Sequence, residues 1–137
     1  MVGVVVVAHL GIGKEMVGAV RKIIPDAKNF AYLCVEQDEP PDQIRTKIEQ
    51  AIESLGSPES VLILTDMFGG TPSNVCLSFL SRPKTEVICG FNLPMLIKLA
   101  SFHRDANFEE MATFIQQYGQ RNIVIASHVL SGRIQHE

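Results

Sequence analysis

The sequence predicts an α/β fold of the doubly wound kind: a mainly parallel sheet in strand order 2-1-3-4, flanked by helices on both faces. Two observations carry this. Short Val/Ile/Leu runs, VGVVVVA (2–8) and VLILT (61–65) above all, alternate with amphipathic segments of helical length, the pattern of a parallel sheet buried on both sides. The segments succeed one another at short loop lengths with no repeat, low-complexity tract or linker, so residues 1–137 are expected to form one domain. With 46% hydrophobic residues the chain can fill a core without disulfide or metal staples.

Each element follows from its residues. A strand over 2–8 is apolar throughout and delivers His9 at its exit. Gly11-Ile12-Gly13-Lys14 then turns the chain into a helix over about 13–24. A phosphate-binding P-loop requires glycine where Ala8 stands and Ser or Thr where Glu15 stands; a dinucleotide fingerprint requires glycine at Met16. Both templates fail, so these glycines serve the sharp turn and Lys14 reads as a solvated helix residue. A strand over 29–35 leads to a helix over 41–55, where Ile44, Ile48, Ala51, Ile52 and Leu55 form one stripe between Pro40-Pro41 and Gly56. The strand 61–65 ends at Asp66, and a helix over 72–82 and a strand over 85–90 follow. Pro94 to Phe102 and Phe108 to Tyr118 read as two short helices, and Asn122 to Leu130 (NIVIASHVL) as a last strand with no helix after it.

In this sheet order ligands bind beyond the carboxyl ends of the strands where the order reverses, between strands 1 and 3. His9 ends the first and Asp66 the third. A carboxylate accepting from one imidazole nitrogen fixes the tautomer and leaves the other nitrogen with a lone pair able to attack phosphorus. After Asp66, Gly69 and Gly70 allow close approach of the backbone to a phosphate. Thr71 is expected as the N-cap and Pro72 as the first helical residue, with first-turn N–H groups turned to the crevice as an anion site. Met67 and Phe68 lie between the aspartate and the glycines, where a loop tip exposes them for docking onto another protein. Phe91 to Met95 borders the same edge, with Leu93 and Met95 expected in the core. His103, His128 and His136 read as structural or solvated, and His9 with Asp66 supplies too few ligands for a metal.

The net charge of −3, without a basic run, argues against nucleic acid and anionic membrane as partners. Cys34, Cys76 and Cys89 are odd in number, apolar in context and without CxxC spacing, as expected of reduced thiols. The first strand lacks the basic start and cleavage pattern of a signal peptide, and no stretch approaches the roughly 20 apolar residues of a membrane span. A cytoplasmic protein is expected.

VVVVAH, VLILTDMFGGTPSN and VICGFNLPMLIKL together resemble the IIA component of the mannose family of the phosphoenolpyruvate-dependent sugar phosphotransferase system, over nearly the whole chain. The resemblance implies that His9 accepts a phosphoryl group from phospho-HPr on the nitrogen remote from the backbone and passes it to a IIB component. Asp66 then bonds the nearer nitrogen, Thr71 sits beside the phosphoryl group, and neither metal nor cofactor takes part. It also implies a homodimer that exchanges a C-terminal antiparallel strand, the place of NIVIASHVL. Leu10 stands where such proteins have a small residue, and the chain's end after the last strand implies a separate IIB chain. Two other readings keep His9 and Asp66: a regulatory phosphorylation-state sensor without a sugar permease, and a small hydrolase using the pair as acid and base.

Overall fold

The computed structural model describes residues 2–101 and 107–132. Four strands, β1 (Gly3–His9), β2 (Phe30–Val35), β3 (Val61–Thr65) and β4 (Thr85–Cys89), form one sheet in the order β2-β1-β3-β4. Every neighbouring pair is parallel, with Val7 opposite Thr65 and His9 opposite Val35. This is the expected order, and it places the ends of β1 and β3 side by side at the reversal point.

Alternation along the strands divides the core in two. Val4, Val6, Ala8, Leu62 and Leu64 pack with Val17 and Val20 of α1 (Ile12–Ile23), with Met95, Leu96 and Leu99 of the helix Leu93–Ala100, and with Ile115 of the helix Phe108–Arg121. Val5, Val7 and Ile63 turn to the opposite face. There they meet Ile44 and Ile48 of α2 (Pro41–Ser54) and Val75 and Cys76 of α3 (Gly70–Leu77). With Leu93–Ala100 as α4 and Phe108–Arg121 as α5, the helices cover both faces. Burial on both sides is why β1 and β3 read as continuous apolar runs rather than as alternating patterns. Met95 is buried and Leu93 packs against the first cluster.

The structure departs from the sequence reading at two elements. The helix expected over 72–82 is two pieces, α3 and a 3-10 turn Ser78–Ser81, and it starts earlier, with Gly69 as N-cap. The expected last strand over 122–130 is not a strand in this chain: Ala126–Leu130 is a short helix, α6. Strands exist only as ladders, and NIVIASHVL pairs with none of the four strands; its last residues satisfy their N–H groups locally instead. Ile123, Ile125 and Leu130 are left exposed. Of these, Ile123 lines a groove of about 730 Å³ between the edge of β4 and the flank of α5, together with Val87, Cys89, Asn92 and Gly119 among others. Phe102, the last residue of the expected 94–102 helix, and His103 and His136 lie outside the described residues.

Candidate functional site

His9 is the last residue of β1, and the chain turns away from it through Leu10, whose φ is +50° and whose N–H reaches the Val35 carbonyl at 2.9 Å. Asp66 directly follows β3. One carboxylate oxygen, Oδ2, accepts twice from His9: from the backbone N–H at 3.0 Å and from Nδ1 at 2.9 Å. A carboxylate only accepts, so Nδ1 carries a proton, and in the neutral ring the lone pair is on Nε2. The His9 side chain is 43% exposed and that of Asp66 only 14%, so the aspartate forms the base of the site and the imidazole stands open above it. One bond holds the His9 backbone and the other its ring, an arrangement suited to a nucleophile that must not tumble.

The loop after Asp66 owes its shape to glycine. Gly69 has φ +96° and ψ 156°, and Gly70 has φ +85°. These backbone conformations are closed or strained for side-chain-bearing residues, and they turn the chain into α3 before Thr71 is reached. Thr71 is therefore not the N-cap; it lies exposed in the first turn, and no side chain caps the helix. Ser73 does related work from within the helix. It is buried, and its Oγ accepts from Gly69 N–H at 3.1 Å. Gly69 thus spends its N–H on the loop, whereas helix geometry leaves the first-turn N–H groups of Gly70 and Thr71 without intrahelical acceptors. Ser73 carries no sequence signal of its own; the spacing Gly69–Ser73, one helical turn, becomes meaningful only once the loop is seen to fold over it.

Electrostatics narrow the choice of nucleophile. Burial, helped by the Cys89 thiol and the Asp66 carboxylate nearby, pushes the Cys76 thiol up to about 12. Burial also raises that of Cys89, against a hydrogen bond with Ser73. Thiols held this way are protonated near neutral pH and inert. His9 is left as the accessible nucleophile beside the loop. Around it Leu10, Ile12, Met67 and Phe68 are all exposed, an apolar rim on which Phe68 is 74% exposed and also borders the β4 groove. Among the described residues, no three His, Cys, Asp or Glu side chains gather as a metal site, and no helix is long and apolar enough to cross a membrane.

Comparison with known proteins shows the family. Residues 3–116 match the EIIA-man family, described as the PTS system fructose IIA component. The PTS system sorbose-specific EIIA component of Lacticaseibacillus casei is 34% identical over 98 residues, covering 71% of this chain and 70% of that protein. The PTS system fructose-specific EIIA component of Bacillus subtilis is 27% identical over 88 residues; that alignment covers 64% of this chain and 60% of the relative, short of its whole length. The crystal structure of the PTS IIA protein associated with the fucose utilization operon of Streptococcus pneumoniae superposes with a TM-score of 0.80 at 25% identity, covering 94% of this chain and 96% of that one. With the family matched across both strands that carry His9 and Asp66 and across the glycine loop, the chain belongs to the EIIA-man family of phosphotransferase-system IIA components.

Proposed function

We propose that this protein is a phosphoryl carrier of a sugar uptake route: His9 accepts phosphate from phospho-HPr on Nε2 and hands it to a separate IIB component. The observation that carries this is the double acceptance of His9 by Asp66 Oδ2, which leaves Nε2 as the one ring nitrogen able to attack. In the transfer the Nε2 lone pair forms the new P–N bond while the P–N bond of the donor phosphohistidine breaks, and its electron pair returns to the donor imidazole. Nδ1 keeps its proton against Asp66 throughout, and the second transfer runs the same exchange toward IIB. Charge on the moving phosphoryl oxygens is met by the N–H groups of Gly70 and Thr71, the Thr71 hydroxyl and the positive end of α3. Neither a metal nor an organic cofactor enters that balance. Met67 and Phe68 form the apolar face on which the partner proteins dock.

The same reading treats residues 1–137 as one cytoplasmic domain that works as a homodimer, with segment 123–130 of one copy covering the β4 groove of the other. The test is to incubate the protein with phosphoenolpyruvate, enzyme I and HPr. An acid-labile phosphate is expected in the wild type and none in His9→Ala. Equal labelling of the two would falsify the assignment of His9. Asp66→Asn should slow transfer by about a hundredfold, because the ring loses its fixed orientation, while HPr binding persists.

A further inference from the structure

Two buried polar atoms at the end of β3 have no hydrogen-bond partner among the described residues: Oγ1 of Thr65 and Oδ1 of Asp66. Thr65 is 0% exposed. Its strand neighbours are Val7 and Cys89, and Val7 shares its face of the sheet with Val75 and Cys76 of α3. The hydroxyl therefore sits under the phosphate loop, in the layer where Ser73 ties the loop to Cys89. An unpaired buried hydroxyl is destabilising, and the common remedy is a partner close by. The two orphans are chemically complementary: a hydroxyl can donate, and a carboxylate oxygen can only accept. They also belong to consecutive residues.

We propose that Thr65 is a positioning residue for Asp66: when His9 carries phosphate, the Thr65 hydroxyl donates to Oδ1. The reasoning starts from charge. Phosphorylation on Nε2 removes that nitrogen's lone pair and polarises Nδ1–H, so the carboxylate must hold its full negative charge against the ring. Oδ2 is already engaged by both His9 donors, and Oδ1 is the oxygen in need of one. A donor from the fixed end of β3 locks the carboxylate plane and so locks the ring. The inference rests on the phosphoryl-carrier reading of His9.

The test uses phosphoramidate, a small phosphoryl donor that needs no protein partner, on the wild type, Thr65→Val and Thr65→Ser. Valine keeps the shape and removes the hydroxyl. The unmodified Thr65→Val protein should melt at or above the wild-type temperature, since it loses an unpaired buried group. Its phospho-His9 should hydrolyse several-fold faster, and the Nδ1–H proton resonance of the phosphorylated protein should shift and broaden. Thr65→Ser should restore both. The proposal is overturned if Thr65→Val matches the wild type in lifetime and resonance, or if it lowers the melting temperature of the unmodified protein while Thr65→Ser does not. Absence of any label on His9 in the wild type would instead defeat the carrier reading, and this proposal with it.

Discussion

Gly69 separates two reasons for a glycine that are often conflated. A Cβ built there meets nothing within 4 Å, so space does not require glycine; the backbone does, at φ +96° and ψ 156°. Gly69→Ala should therefore lower stability by about 1–3 kcal/mol in a urea or thermal unfolding series, purely through strain. It should also slow phosphoryl transfer, because relief of the strain swings the Gly70 and Thr71 N–H groups away from the anion. An alanine variant as stable as the wild type would show that the loop tolerates another path. This is also the scale at which the sequence was most and least readable. His9 and Asp66 were legible because a titratable side chain at the exit of an apolar strand is out of place unless paired, and the Gly-Gly pair was legible because few other residues turn that sharply. Ser73 and Thr65 were not. A serine in a helix and a threonine ending a strand are ordinary in sequence, and only their burial, at 1% and 0% exposure, makes their hydroxyls informative. Thr71 is not the cap for a related reason: a Thr-Pro pair signals a helix start, but the two positive-φ glycines have already begun it.

Helices α4 and α5 are joined to the strand end by a contact that depends on one missing side chain. Asn92 caps α4 by accepting from Met95 N–H at 3.2 Å and reaches across to donate to the Gly119 carbonyl of α5 at 2.9 Å. A Cβ on Gly119 would clash with the Sδ of Met95 and stand 2.6 Å from its Cγ. Met95 is buried against the core at the wall of the groove, so its side chain makes room only by giving up packed contacts. Gly119→Ala should cost about 1–3 kcal/mol of stability by overpacking, and the double variant with Met95→Ala should show clear non-additivity in denaturant midpoints. Simple addition of the two losses would argue against a shared contact. The parallel strands and the α1 and α2 helices were legible because their signal is local: apolar runs for a sheet buried on both faces, and a 3.6-residue stripe for a helix. NIVIASHVL was not. Its β-branched residues suit a strand, yet strand identity depends on a neighbouring backbone that local sequence does not contain, and in this chain the segment closes into α6.

The sheet has two edges, and the molecule treats them differently. Along β2, long cations from the flanking helices take up edge carbonyls: Arg21 of α1 bonds Phe30 O and Lys47 of α2 bonds Cys34 O, each at 2.9 Å. Lys47 is itself held 2.8 Å from Oε2 of Glu39, so this guard is fixed in place. Charged groups on an edge strand discourage pairing with another chain. The β4 edge has no such cationic guard among the described residues; its one comparable device is Glu86 Oε1 accepting from Val87 N–H. It opens instead onto the 730 Å³ groove, and Ile123, Ile125 and Leu130 stand exposed near one another in sequence without a core to enter. An open edge, a groove and an exposed apolar segment in one chain are what the proposed homodimer would cover, and a two-fold arrangement would do so in both copies at once. The wild type should thus sediment at twice the chain mass. The double variant Ile125→Asp/Leu130→Asp, altering two residues that line neither the groove nor the His9 site, should sediment as a monomer and still accept phosphate from phosphoramidate on His9. A variant that remains dimeric at the wild-type affinity would place the interface elsewhere. A wild type that is monomeric at micromolar concentration would remove the dimer altogether. Because Phe68 borders the groove as well as the site, the monomeric variant should also take phosphate from phospho-HPr more slowly than from the small donor, relative to wild type. That difference would tie the assembly to docking rather than to the chemistry at Nε2.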